Sequence, residues 1–530
     1  MQNLQRRTLN PSAPPAGAPP IPDQAVSSIP EGEAMAEESV NATRATADRG
    51  PGRAERPVSE AEAAKAAERR AVILEGPIGK GVLKIALPSV ATMMLQTTNS
   101  FLDRFFVGSL GTEALAAVTV GSSLMFALMS AAMAISVGTT ALVARSVGEG
   151  NLANARTATT QSLLIALIAS VLIGVPMLLL RVPLLSALGL DDAALRFASQ
   201  YLFYTVLGLP TLFLMLTFNG AFRGLGDTVR PLWVTVGAIA IHASFNWLLI
   251  FGKWGFPKMG LGGGALALVL SQLVATVLYL VFLRRTPLSE AASRRTLWRP
   301  DWEWIRRIGR IGLPASAQQL IRVGSMLGLQ SLLAHTSAGS AAVAALGVGL
   351  LSESIAFMPG FGYAIAASAF VGQNLGAGKV ERANSGGWIA AWQAVAVMTF
   401  MGGIFYFAAA PFAHLFVRHD PNETAAAATQ VETTIALTIL YLRIAAFSEP
   451  FLGLGMVLTG ALQGAGETVS PTILTIVTMV LIRVPLAYFL AFFVGMGPVG
   501  AWWAMSLSTV LQGILTADLF RRGKWRTVRV

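Results

Sequence analysis

Asp103, His242, Glu353 and Glu449 stand inside long apolar runs, and each can gain or lose a proton. An ionisable group in a bilayer core costs at least about 2.5–3.5 kcal/mol, so it persists where it faces a cavity or a partner. Asp103 comes late in its run, fifteen residues after Pro88. Proline cannot donate to the helix ladder and bends the helix that holds it. Together they suggest a bent helix that responds to protonation; the alternative is a solvated Asp at the membrane interface. His242 and Asn246 are four residues apart and share one helix face. Imidazole changes charge near neutral pH. Glu449 directly precedes Pro450, which frees a carbonyl nearby. Gln318, Gln319 and Arg322 in one run, with Arg483 in another, can bind these acids. That group is either a substrate or proton pathway or a closed salt-bridge network.

Such residues need apolar elements to hold them. The 530-residue chain is 54% hydrophobic and 13% charged, far below the quarter or so of charged residues typical of soluble domains. Its mean hydropathy is +0.60. Twelve apolar stretches of about 20 residues or more fall between 78 and 520, each long enough to cross a bilayer as a helix. Residues 1–77 are rich in Pro, Ala, Glu and Arg and read as a disordered, solvated tail, although Ser59 to Leu74 could form a short amphipathic helix. A six-span lobe is expected over 78–283, a basic connection over 284–304, a second lobe over 305–520 and a basic tail over 521–530.

The two lobes echo each other. NGAFRGLGDTVRP at 219–231 returns as TGALQGAGETVSP at 459–471. Pro210 returns as Pro450, Pro88 as Pro314, and Met259-Gly-x-x-Gly263 as Met496-Gly-x-x-Gly500. The run Val147-Gly-Glu-Gly150 returns as Leu375-Gly-Ala-Gly378. An even number of spans per half makes the repeats parallel, which suggests alternating access with a pathway between the halves. With the N-terminus placed inside, the inside loops and C-terminus carry 19 Lys and Arg, Arg223 and Arg230 among them, against 5 outside. That asymmetry puts both termini in the cytoplasm.

Other chemistries find little support. The net charge of +11 is spread over short loops rather than gathered on a nucleic-acid-binding face. The chain has no Cys, and its four His are far apart in sequence. GLGD and GAGE follow no strand and lack the Lys-Ser or Lys-Thr of a phosphate loop. They read as turns between spans, with Asp227 and Glu467 near the start of the next helix.

FLDRFFVGSLG (101–111), NGAFRGLGDT (219–228), FVGQNLGAGKVERA (370–383) and TGALQGAGET (459–468) together resemble the multidrug and toxic compound extrusion (MATE) family over about residues 80–520. The resemblance implies two six-helix lobes around a V-shaped cavity and export driven by H⁺ or Na⁺. It also implies ion coupling at Asp103. Some members carry Asn and Asp where this chain has His242 and Asn246, and related chains often have Thr at the place of Leu268. The loss of these oxygen ligands leans the chain toward H⁺.

The expectation is therefore an all-α polytopic membrane protein of 12 transmembrane helices, two parallel six-helix repeats around a central cavity. Asp103, His242 and Asn246 would couple the ion. Glu353, Glu449, Gln318, Gln319 and Arg322 would line a substrate or proton pathway, with hinges at Pro88, Pro210, Pro314 and Pro450. It would be a monomeric antiporter of the inner membrane, in contact with lipid, exporting amphipathic, often cationic, organic compounds. It would use no cofactor, metal or nucleic acid. A lipid-linked saccharide or peptidoglycan-precursor flippase and a membrane-embedded enzyme are the alternatives.

Overall fold

The computed structural model describes residues 60–108, 112–186, 192–292, 299–417 and 424–528, all helix, turn or loop with no strand among them. Residues 1–59, most of the expected tail, lie outside the described residues. Its last part is not a solvated tail: Glu60–Leu74 forms a helix. The helix forms because its apolar end finds a place to bury, with Ile73 and Leu74 only 2% and 4% exposed.

Twelve spans follow. In the first lobe they are α1 (Ile78–Gly108), α2 (Thr112–Gly148), α3 (Leu152–Leu179), α4 (Asp192–Leu207 and Leu209–Gly224), α5 (Val229–Phe251) and α6 (Leu261–Leu283). In the second they are α7 (Trp302–Ala334), α8 (Gly339–Gly376), α9 (Val380–Phe407), α10 (Ala425–Gly464), α11 (Val469–Phe493) and α12 (Pro498–Arg521). Among the described residues, nine are long and apolar enough to cross a membrane alone, and α4 qualifies as a pair bent by 50°. α7 and α12 are more polar because they turn Gln318, Ser506, Ser508 and Gln512 inward. Large apolar side chains face outward instead, Phe407 at 86% and Phe493 at 82% exposure, as a lipid-facing surface requires.

The echoes in sequence are echoes in conformation. Gly226 and Gly466 both take positive φ, at 71° and 87°. Gly260 and Gly497 cap α6 and α12 at φ 54°, ψ −129° and φ 57°, ψ −139°, a region closed to side chains. Gly220 and Gly224 of α4 pack on the Ser136 and Thr140 carbonyls of α2, while Gly460 and Gly464 of α10 pack on the Ala364 and Ser368 carbonyls of α8. Each is a helix-on-helix contact that a Cβ would obstruct. Asp227 accepts the Arg230 amide and Glu467 the Ser470 amide, so each acid satisfies an N–H in the first turn of the next helix.

The prolines behave unequally. Pro88, Pro314 and Pro450 lie inside continuous helices, whereas Pro210 sits at the break in α4.

The lobes meet at the end that carries the α6–α7 connection, called here the linker end. There a Cβ on Gly148 would overlap the Gln373 carbonyl, and one on Gly376 the Arg145 carbonyl, so α2 and α8 touch backbone to backbone. Gly362 of α8 meets Val90 of α1 in the same way, and Gly312 of α7 meets Ala134 of α2. Gln373 Nε2 donates to Gly224 O at 2.8 Å across the same seam.

The helix Glu60–Leu74 lies over this seam and is tied to both sides. Toward the first lobe, Arg69 pairs with Asp227 at 2.5 Å, Arg230 pairs with both Asp227 and Glu62, and Arg70 donates to Gly148 O at 3.1 Å. Toward the second, Asn374 and Arg382 donate to Ile73 O, Lys379 donates to Leu74 O, and Arg382 also reaches Gly76 O. Cations at a helix C-terminus satisfy its unpaired carbonyls and its dipole. Partial burial pushes the Glu62 carboxyl up, but the hydrogen bond and charge of Arg230 outweigh it and hold it below the usual glutamate value.

Candidate functional site

Two polar clusters and one cavity hold most of the residues with chemistry. In the first lobe, α1 turns Asp103 toward α5. Asn246 Nδ2 donates to Asp103 Oδ1 at 3.2 Å and lies 3.3 Å from His242 Nε2, which is itself 3.5 Å from Asp103 Oδ1. His242 and Asn246 are each about 3% exposed, while the Asp103 side chain is 38% exposed. The carboxyl is therefore the open side of a closed cluster. His242 Nδ1 contacts Asn99 Oδ1 at 3.1 Å. Asn99 completes the set and was not singled out from sequence. Its signal was available: it precedes Asp103 by four residues, as His242 precedes Asn246.

In the second lobe, Tyr441 of α10 donates to Glu353 Oε2 of α8 at 2.7 Å. The Tyr441 ring fits over Gly349, where any Cβ would collide with it, and lies edge-on to Trp502 with centroids 5.7 Å apart. The Glu449 and Glu353 carboxyls lie close enough to interact. Glu449 is fully buried, and among the described residues neither of its oxygens has an N–H or hydroxyl donor. A hydrogen bond between two carboxyls needs a proton on one of them. The carbonyl that Pro450 frees is that of Ala446, and Gly402 of α9 packs against it and against Glu449 Cβ.

The closed salt-bridge network is not what forms. Among the described residues, Arg322 and Arg483 make no ion pair with either Glu. Arg483 donates instead to Ser508 Oγ at 2.7 Å and Thr509 Oγ1 at 2.9 Å. It follows a π-helical stretch, Ile476–Ile482, whose widened turn frees carbonyls; Ser325 of α7 donates to one of them, Met479 O, at 2.6 Å. The counterpart α5 is regular α-helix.

Between the lobes lies a cavity of about 450 Å³. The first lobe contributes Met133, Val137, Thr140 and Arg223; the second contributes Gln318, Gln319, Arg322, Glu353 and Arg483, with Met and Phe side chains between them. Gln318 is fixed by Thr475 at 2.8 Å and by Gln463 at 3.3 Å. The structure thus gathers the second-lobe pathway residues at one cavity, except Glu449, which lies behind Glu353. The Asp103 cluster does not line it. The lining is soft and apolar, and its charges are mostly positive: three guanidiniums face one carboxylate. Arg223, counted among loop charges from sequence, belongs to α4 and faces the cavity because that helix runs on to Gly224.

Comparison with known proteins places this arrangement. The MatE family model matches residues 88–248 and 314–489. A probable multidrug resistance protein NorM of Thermotoga maritima is 28% identical, over 84% of this chain and 93% of its own length. An FAD transporter of Shewanella oneidensis is 29% identical, over 85% and 96%. Among solved structures, a MATE protein in complex with MaL6 superposes with a TM-score of 0.79 at 24% identity, over 85% of this chain and 97% of its own. A MOP superfamily transporter from Pyrococcus furiosus, for which reverse polarity of the binding pocket suggests a different function, gives 0.78 at 24% identity, over 85% and 97%. At that identity the two structures speak for the fold alone.

Proposed function

Because the chain belongs to the MatE family of membrane transporters, we propose that it is a secondary active antiporter that exports drug-sized amphipathic organic compounds in exchange for H⁺. It is a transporter and not an enzyme. The observation that carries the coupling proposal is the Asp103–Asn246–His242 cluster, one open carboxyl held by two buried polar groups of α5.

The same helix that carries Asp103 touches the second lobe at its other end, where Val90 meets Gly362 and Gly79 O accepts from Gln393. Protonation removes a negative charge that Asn246 Nδ2 faces. A ligand or proton shifts a conformational equilibrium only through different interactions in the two states. Here the difference is felt along α1 and reaches the seam that closes the linker end. One chain supplies both walls of the pathway, so a monomer suffices.

The excess of Lys and Arg at the linker end supports a cytoplasmic location for that end, in a protein of the inner membrane. Trp254, 84% exposed, marks the opposite face. An impermeant thiol reagent added outside cells should label Trp254→Cys and spare Ala153→Cys; the reverse pattern overturns this orientation.

The flippase reading keeps one observation in its favour, the three arginines Arg223, Arg322 and Arg483 at the cavity. The test of exchange is flux of fluorescent compounds in inverted vesicles under an imposed ΔpH or Na⁺ gradient. Uptake driven by ΔpH and collapsed by a protonophore is expected. Uptake driven only by Na⁺, or by neither gradient, overturns H⁺ antiport.

A further inference from the structure

The charges at the cavity between the lobes specify more than its size does. Arg322 of α7 makes no hydrogen bond or ion pair among the described residues, and neither does the Arg223 guanidinium of α4. Arg483 is oriented by Ser508 and Thr509, and it lies near enough to Arg322 for the two cations to repel. One carboxylate shares this space, Glu353, and Tyr441 and Glu449 already engage it. An unpaired guanidinium inside a protein is costly, and the cost is relieved when an anion supplies the missing acceptors.

Guanidinium is the side chain best fitted to that role. Its planar fork binds a carboxylate or phosphate through two parallel N–H···O bonds, and it is charged at every physiological pH. Around the three arginines the wall is apolar and deformable. It includes Met326, Met456, Met479 and Met505, with the Phe357 and Phe361 rings 5.9 Å apart. Thioethers and aromatic edges accept bodies of varied shape. A cavity of about 450 Å³ is the size that holds a drug-sized molecule.

We propose that this cavity binds an amphipathic organic anion: an apolar or aromatic body that lies on the Met and Phe wall, carrying a carboxylate or phosphate that Arg322 and Arg483 hold on the second lobe and Arg223 approaches from the first. A ligand held by both lobes belongs to one arrangement of them, which is what a substrate of an alternating-access carrier must do. The inference rests on the export reading for transport, but not for binding.

The test separates the two. Fluorescein and rhodamine 123 share a xanthene body and carry opposite charge. Their binding to the purified full-length protein is read by fluorescence anisotropy. Fluorescein should bind about tenfold or more tightly than rhodamine 123, as a charge-assisted hydrogen bond gained or lost implies. Flavin mononucleotide should displace fluorescein, and riboflavin, the same ring without the phosphate, should not. Arg322→Gln should lose about tenfold in fluorescein affinity, and Arg322→Lys should keep most of it, with thermal melting used to check that both variants fold. Rhodamine binding as tight as or tighter than fluorescein overturns the proposal, as does equal displacement by riboflavin, an unchanged Arg322→Gln, or no binding of either dye. Fluorescein that binds but is not moved by any gradient leaves the anion site standing and defeats the export reading. Rhodamine that binds best and is exported does the opposite.

Discussion

Asn246 donates through Nδ2 to Asp103, while its own Oδ1 is buried with no donor beside it among the described residues. A buried acceptor without a partner costs about 1–3 kcal/mol. An ionised Asp103 can only accept, so it can satisfy the Asn246 amide but not its carbonyl. A protonated Asp103 has an O–H to give, and a turned amide would receive it. The pair is thus matched to both protonation states, which a rigid salt bridge would not be.

Asn246→Leu keeps the volume and removes both bonding groups. Flux driven by ΔpH in proteoliposomes should fall about tenfold, as the loss of one hydrogen bond to a charged group implies. Unchanged flux would mean that Asp103 works without its neighbour.

Gly464 sits against the Ser368 carbonyl in the second lobe as Gly224 does against Thr140 in the first. Gly464→Ala should force α10 away from α8, an overpacking cost of about 1–3 kcal/mol, and lower the melting temperature of the purified protein by several degrees. Gly403→Ala, on the same lobe with nothing within 4 Å of its Cβ, should melt as the wild type does. Equal melting of the two variants would remove the close α8–α10 approach from the account.

The repeats made much of this readable beforehand. Repeated glycines mark where helices touch, and that marking survives because a Cβ has nowhere to go at Gly220, Gly460 or Gly464. His242 and Asn246 were readable through their spacing of four, and Asp103 through its cost in an apolar run. Tyr441 was not readable, because its meaning lies in a bond to Glu353 across two helices and in a notch at Gly349. Arg223 was misplaced because a cation near a loop looks the same in sequence whether it faces water or a cavity. The helix Glu60–Leu74 was legible only as the alternative to a solvated tail for a related reason: its composition is that of a solvated segment, and only the seam between the lobes gives Ile73 and Leu74 somewhere to bury.

That helix ties both lobes together at the linker end, so its removal should loosen the seam. Spin labels at Ala153→Cys and Glu381→Cys, one on each lobe, should move apart on deletion of residues 1–76. Acid should have a related effect. The Glu62 carboxyl is held below its usual value of 4.5 by Arg230. A group whose value is lowered in the folded state contributes stability above its unfolded value and loses it as pH falls through the folded one. The Glu62–Arg230 tie is therefore intact at neutral pH and lost only at acid pH below the usual glutamate range. A spin label at Lys65→Cys should stay immobile at pH 7 and gain mobility only at acid pH below the usual glutamate range; mobility already high at pH 7 would contradict the docking.

The central claim is that Asp103 carries the coupling proton, and Asp103→Asn tests it most directly because it keeps the shape and removes the titration. Purified Asp103→Asn should fold and still bind the transported dye, yet in proteoliposomes it should move none of it uphill on an imposed ΔpH. Uphill transport by Asp103→Asn at the wild-type rate would contradict the account and transfer the coupling role to the Glu353–Glu449 pair.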